Sequence, residues 1–377
     1  MSTSNLVRVA PGALVIGKPL PWTVYDADGK VLLRQGYVIQ NETQLEQLFE
    51  RGLFEPRKRD QAEPAEEAFD DARERNPFTD YPTLLRTLET TLAAISSQED
   101  SALQRLLGLS RLLDRVCREA PDPCLALVHL YSVEPTAYEQ TLFYAIICHF
   151  VAMEAGLDDN RTSVLVAAAL TANIALLPFL DKLNASPRLL TDEQRTVIHK
   201  HPERSAQALK KAGIDNPLLI DIVLQHHEHS DGSGYPRGLS RSDILPEAQI
   251  LSYAERYIAM ITWRAYRERC SISDAQKAIL EQSREDFRPY IGRALLEALT
   301  PYPPGSLVRL ANNEVAVVTR RPVRLTGPFA QAILGPAGDR YPGSFQRDCS
   351  ELDFNIRALE MPDVMPSMDF GLLWGFR

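Results

Sequence analysis

The stretch His226-His227-Glu228-His229-Ser230-Asp231-Gly232-Ser233-Gly234-Tyr235-Pro236 decides how the rest of the chain is read. Two adjacent histidines are followed by two glycines and a proline within five residues, a composition that demands a specific loop path. That loop presents Asp231 and Tyr235 beside the histidines. Upstream, Asn216 and Pro217 open a helix read through LLIDIVLQHHEH. On it Leu219, Val223 and His227 share one stripe, and Ile222 and His226 share the neighbouring one. Both stripes are expected to face inward, which carries two imidazoles into an apolar bundle. Burying them unpartnered is costly, so the pattern calls for a metal or a carboxylate partner. The plain alternative is a surface turn with capping residues.

The preceding window adds two more histidines, His199 and His201. Thr191 and Gln194 form a capping box that starts a helix. Pro202 follows His201 directly, so a helix break is expected there, with Pro202 at the first position of a new helix that Gly213 ends.

Outward from this centre, 377 residues imply two or three domains at about 150 residues each. The chain is 45% hydrophobic and 24% charged, as soluble globular proteins are. A net charge of -9 argues against a protein that coats nucleic acid, which needs clustered Lys and Arg. Five cysteines without a CxxC pair suit a reduced cytoplasmic setting. The N-terminus lacks the pattern of a signal peptide. Two apolar stretches, 141–157 and 163–180, are interrupted by His149 and Glu154 and by Thr171, Asn173 and Pro178. They read as core helices, since a span needs about 20 largely apolar residues.

The expected fold class is mainly α. Residues 1–56 form a small α+β unit, with a hairpin about Asp28-Gly29 and a helix from Asn41 to Gly52. A charged linker, or partner-binding segment, covers 57–77. A helical domain covers 78–300, with apolar faces on Leu84, Leu88 and Leu92, on Leu103, Leu107 and Leu112, and on Phe143, Ile146, Ile147, Phe150 and Met153. Period-two runs SLVRL, EVAVVTR and AQAIL mark a small antiparallel unit over 301–360, and 361–377 is a tail.

HHEHSDGSGYP is similar to the HHExxDGxGYP signature of the HD-GYP proteins, a branch of the HD metal-dependent phosphohydrolases. The resemblance covers roughly 138–299 and includes LTDEQ…HKHPERS and TWRAYR. It implies a helical bundle, a cluster of two or three metals, cyclic di-GMP as substrate, and association with diguanylate-cyclase domains. Carried over residue by residue, it implies metal binding at His201, His226, His227 and Glu255. It likewise implies ligand binding at Gly234, Tyr235, Pro236, Arg264 and Arg267, with Asp231 and Tyr235 as catalytic candidates.

The pattern also breaks. The family's His-Asp string aligns with Leu170-Thr171-Ala172-Asn173-Ile174-Ala175-Leu176, so Ala172, Asn173 and Leu176 replace its His, Asp and Lys. An upstream His falls on Gln140 or Leu142, and two downstream Asp positions are Glu255 and Ile258. Two divalent ions about 4 Å apart repel by roughly 15–20 kcal/mol at an effective dielectric near 20. Neutral Asn173 cannot offset that repulsion, so a dinuclear centre is not expected. Two states stay open. In one, His201, His226 and His227 hold a single iron, manganese or zinc ion, with Glu255 or Asp231 adding a carboxylate. In the other there is no metal, and Glu228, Glu255 and Asp231 hold the histidines. Arg264 and Arg267, three apart on an expected helix, would clamp phosphate, and Arg237 and Arg241 flank the loop.

The expectation is therefore a cytoplasmic cyclic di-GMP signalling protein acting as a weakly active or non-catalytic receptor or adaptor. Its partners would be cyclic di-GMP or a related nucleotide, a diguanylate-cyclase domain or another signalling protein, and a second copy of itself. Nucleic acid and membrane are not among them. The alternatives are a one-metal cyclic di-GMP phosphodiesterase and an interaction scaffold.

Overall fold

Helix-starting residues punctuate the chain from Asn76 onward, and each begins a helix in the computed structural model. The structure describes residues 75–187, 190–322, 327–361 and 368–376, and short stretches before them at 6–8, 23–26, 30–34, 37, 39, 43 and 54–56. Packing divides the chain into two units, 1–75 with 364–377, and 76–363.

In the first unit β1 (Leu6–Arg8), β2 (Val24–Tyr25), β3 (Val31–Leu33) and β4 (Phe54–Pro56) form an antiparallel sheet in the order β1-β4-β2-β3. The β2–β3 pair is the hairpin read from the sequence, closed by Lys30 N donating to Asp26 Oδ1 at 2.8 Å. Its Asp28-Gly29 tip, most of the expected helix over 41–52, and linker residues 57–74 lie outside the described residues.

The second unit holds α1 (Pro77–Ser96), α2 (Ala102–Glu119), α3 (Pro121–Tyr131), α4 (Ala137–Glu154), α5 (Asp159–Thr171), α6 (Leu177–Ala185), α7 (Asp192–Lys211), α8 (Pro217–Gln225), α9 (Pro246–Ile261), α10 (Ile272–Glu285) and α11 (Pro289–Leu299). Side chains of Asn76, Thr136, Asp158, Thr191, Asn216 and Ser271 cap six of these helices by accepting backbone N–H bonds. Helix α4 lies at the centre, packed against α1–α3, α5, α6, α9 and α11, and is buried on nearly every side. Its expected single apolar face is therefore too narrow, and Met153 on that face is exposed. On α1 Leu84, Leu88 and Leu92 are buried as read. On α2 the buried row is instead Ala102, Leu106, Leu109, Leu113 and Val116. That row keeps the 3.6 period, whereas the five-residue step from Leu107 to Leu112 drifts off the face. Among the described residues no helix is long and apolar enough to cross a membrane.

The same unit continues into a second antiparallel sheet. Strands β5 (Leu307–Leu310), β6 (Val315–Arg320), β7 (Phe329–Leu334), β8 (Arg340–Asp348) and β9 (Ile356–Glu360) lie in the order β8-β7-β6-β5-β9. The three period-two runs are β5–β7, and two further strands complete the sheet. Val308, Leu310, Ala316, Val318, Ala330 and Ala332 form its buried face. Arg321 Nε donates to Asp122 Oδ1 at 2.6 Å, and His129 Nδ1 lies 2.9 Å from Pro304 O, which ties this sheet to α3. The tail contributes a short helix, α12 (Phe370–Leu373), to the first unit.

Candidate metal and ligand site

His201 owes its orientation to its neighbour. Helix α7 runs through Pro202 without the expected break. Proline has no N–H, so the carbonyl four residues earlier, Ile198 O, loses its helical partner. His201 Nδ1 takes that carbonyl at 2.6 Å. His226 is held in the same way at the end of α8, which stops at Gln225, earlier than the sequence pattern implied. Val223 O is one of the unpaired carbonyls of a helix end, and His226 Nδ1 meets it at 2.7 Å. A carbonyl only accepts, so both Nδ1 atoms carry hydrogen, and the neutral rings present bare Nε2 lone pairs. Those two Nε2 atoms lie 3.1 Å apart.

Burial pushes the His201 imidazole down to about 4, and burial with His201 nearby pushes His226 down to about 3. His227 is held well below its usual value by burial and by the neighbouring histidines. At neutral pH no proton therefore sits between the rings. Ligand atoms of His201, His226 and His227 all lie within 4.8 Å of one another. Imidazoles fixed through Nδ1, with Nε2 atoms converging, are the arrangement that binds a divalent cation.

The carboxylate partner is Glu255 of α9, buried, with Oε2 3.7 Å from His227 Nε2 and 4.0 Å from His226 Nε2. Asn173, in the turn between α5 and α6, donates its side-chain amide to Glu255 Oε1 at 2.5 Å. Burial drives Glu255 up to about 8, against the opposing pull of Asn173 and Arg264. The carboxyl is accordingly mostly protonated at pH 7, and the metal-free cluster is close to neutral. Three imidazoles and one carboxyl suit one divalent ion. They do not suit two. Ala172 and Ile258 are buried apolar side chains, Asn173 is engaged with Glu255, and Gln140 bonds Pro135 O, Tyr144 and Arg264. Among the described residues no second group of His, Cys, Asp and Glu ligands converges.

Glu228 shapes the loop rather than holding the histidines. Its two oxygens accept from Arg237 N at 2.7 Å and Leu239 N at 2.8 Å. Asp231 is exposed, and its Oδ1 accepts from Ser233 N and Ser233 Oγ at 2.9 and 2.6 Å. Both acids satisfy loop backbone, which corrects the expectation that they partner the imidazoles; Glu255 alone does so. A Cβ on Gly234 would fall 2.4 Å from His229 N and 2.6 Å from His227 O, so only glycine lets the loop lie on that backbone. The Tyr235 ring then stacks between His199 and His227, with centroids 4.4 and 4.8 Å away.

The arginines depart from expectation. Helix α9 ends at Ile261, so Arg264 and Arg267 lie in a turn and not on a helix. Backbone bonds hold that turn to neighbouring segments: Trp263 N donates to Val133 O, Ala265 N to Asn184 O, and Cys270 N to Met260 O. The Arg264 guanidinium meets Asn184 Oδ1 and Gln140 Oε1, whereas Arg267 turns to Ala259 O. They do not form one clamp. Arg264 Nε is buried without a hydrogen-bond partner, which leaves a donor for an anion.

Part of this site borders a pocket of about 720 Å³, within the range of small-molecule sites. Tyr235, Arg264, His201, His227 and Glu255 line it, whereas the fully buried His226 and Asp231, Gly234, Pro236 and Arg267 do not. Sequence reasoning missed Tyr144, Asn184, Arg195, Tyr253, Arg256, Gln282 and Asp286 on its wall. Only Arg256 had a local signal, as the neighbour of Glu255.

Residues 125–290 match a family model described as HD domain. The chain is 28% identical over 198 residues to cyclic di-GMP phosphodiesterase PA4108 of Pseudomonas aeruginosa, covering 52% of this chain and 48% of that protein. It is 26% identical over 225 residues to the cyclic di-GMP phosphodiesterase response regulator RpfG of Xanthomonas campestris pv. campestris, covering 57% and 58%. The chain thus spans about half the length of the curated relatives it matches. Among solved structures, Bd1817, described as an HDG"Y"P protein from Bdellovibrio bacteriovorus, superposes with a TM-score of 0.55 at 17% identity. That likeness of fold covers 78% of this chain and 99% of Bd1817. With sequence matches, loop signature and helical fold in agreement, residues 125–290 of this chain form an HD domain that carries the HD-GYP signature.

Proposed function

We propose that this HD-GYP domain serves cyclic di-GMP signalling as a receptor or adaptor that binds the nucleotide in its pocket with little turnover. The observation that carries this reading is the Asn173 amide bonded to Glu255, beside the methyl of Ala172. A bridging anion is missing where two metal ions would need one, and their repulsion stays uncompensated. His201, His226, His227 and Glu255 would hold a single divalent ion. Such an ion supplies Lewis acidity toward a phosphoryl oxygen. Arg264 Nε would orient the phosphate, and Tyr235 would cover the histidines from the loop side. The exposed Arg237 and Gly238 of the same loop would meet a diguanylate-cyclase domain or another signalling protein.

A second reading, a one-metal cyclic di-GMP phosphodiesterase, draws support from the facing Nε2 atoms of His201 and His226. One preparation separates the two readings. Calorimetric binding of cyclic di-GMP is combined with a hydrolysis assay in added manganese or iron. Binding without turnover supports the receptor. Turnover that His226→Ala abolishes overturns it in favour of the enzyme.

A further inference from the structure

One wall of the pocket remains without a role. It lies along the middle of α9, where Tyr253 and Arg256 border it together with Gln282 and Asp286 at the end of α10. The Tyr253 hydroxyl donates to Asp286 Oδ2, which fixes the carboxylate that follows α10. Gln282 lies one turn earlier on α10, and its Oε1 is buried with no hydrogen-bond partner. Buried acceptors are nearly always satisfied, so an orphan on a pocket wall points to a donor supplied by a ligand. The Arg256 guanidinium borders the same corner and acts electrostatically on Tyr253.

The corner therefore offers two acceptors, Gln282 Oε1 and the Asp286 carboxylate, beside two donors, the Arg256 guanidinium and the buried, unpartnered Gln249 Nε2. Guanine is the nucleobase that answers this set. Its N1–H and N2 amine are adjacent donors, and O6 and N7 are acceptors for an arginine. Adenine presents its N6 amine between ring nitrogens that only accept, so a carboxylate beside them is repelled. Tyr253 and Gln249 line the same pocket as Glu255, His201 and His227. A base reaching this corner can thus belong to a nucleotide whose phosphate is at the histidines.

We propose that Gln282, Asp286 and Arg256 form a base-reading subsite selective for guanine. The assignment rests on the reading that a cyclic dinucleotide occupies the pocket, and it names the residues that choose the base. The test is calorimetric binding of cyclic di-GMP and cyclic di-AMP to the full chain, to Gln282→Leu and to Asp286→Asn. Metal content and melting temperature of each variant report whether the rest of the site is intact. We expect a preference for the guanine ligand of about tenfold or more, the scale of one two-bond base contact. Each substitution should cut that preference several-fold while metal content holds. Equal binding of the two ligands by the native chain overturns the subsite. A preference that neither substitution alters overturns it too, and leaves the receptor reading standing. No binding of either ligand overturns both.

Discussion

The Nε2 atoms of His201 and His226 face each other across 3.1 Å while both Nδ1 atoms are committed to the carbonyls of Ile198 and Val223. Two lone pairs at that separation repel, and burial holds both rings neutral at pH 7. A cation relieves the conflict.

Zinc or manganese should therefore bind at one ion per chain and raise the melting temperature. A ligand at 100 times its Kd stabilises by about 2.7 kcal/mol, a shift of roughly 4–5 °C for a unit of this size. Elemental analysis with thermal melts, before and after chelation, measures both effects. His226→Ala should remove both, and two tightly bound ions per chain would contradict the ligand set.

Asn173→Asp should act with opposite signs in the two metal states. The amide that donates to Glu255 is lost, and two carboxyl groups are left together in a buried site. Without metal this should cost about 1–3 kcal/mol; with manganese the added charge should strengthen binding. Urea midpoints with and without manganese test the inversion.

Gly234→Ala places a methyl against the backbone of residues 227–229, which cannot swing aside. We expect a loss of about 2 kcal/mol or more and displacement of Tyr235 from His227. Glu228→Gln, which sets an amide group against the N–H of Arg237 or Leu239, should weaken the same loop by about 1–3 kcal/mol. Denaturant melts measure both costs, and nucleotide binding should fall in each variant.

The second sheet of the helical unit should lose stability in acid. Glu314 is buried and accepts from Arg347 at 2.8 Å and from the Tyr341 hydroxyl at 2.6 Å, and Arg347, first among its partners, draws it down to about 2. A depressed carboxyl contributes stability above its unfolded value near 4.5, and that contribution is lost as pH falls toward 2. The contribution is about 2–3 kcal/mol. Denaturant midpoints from pH 6 to pH 2.5 should fall more steeply for the native chain than for Glu314→Gln.

The sequence by itself determined the helical class, the capped helix starts at Thr191 and Asn216, and a constrained loop over 232–236. These are local matters, readable because capping and periodicity act over three or four residues. It also pointed to His201, His226 and His227 through their likeness to the HD-GYP signature, although the local pattern ran the helix on past His227 and expected a break at Pro202. Only the tertiary structure decided the partners. Asn173 meets Glu255 across 82 positions of sequence, Asp286 meets Tyr253 across 33, and Arg264 turns to Asn184 across 80. Arg264 and Arg267 looked alike in sequence, but the hydrogen bonds of the turn after α9 sent them to different partners. Glu228 and Asp231 stood closest to the histidines in sequence, yet the loop's own unsatisfied N–H groups claimed both carboxylates. A buried polar group takes whatever partner the packed chain brings within 3 Å or so, and no spacing along the chain encodes that meeting.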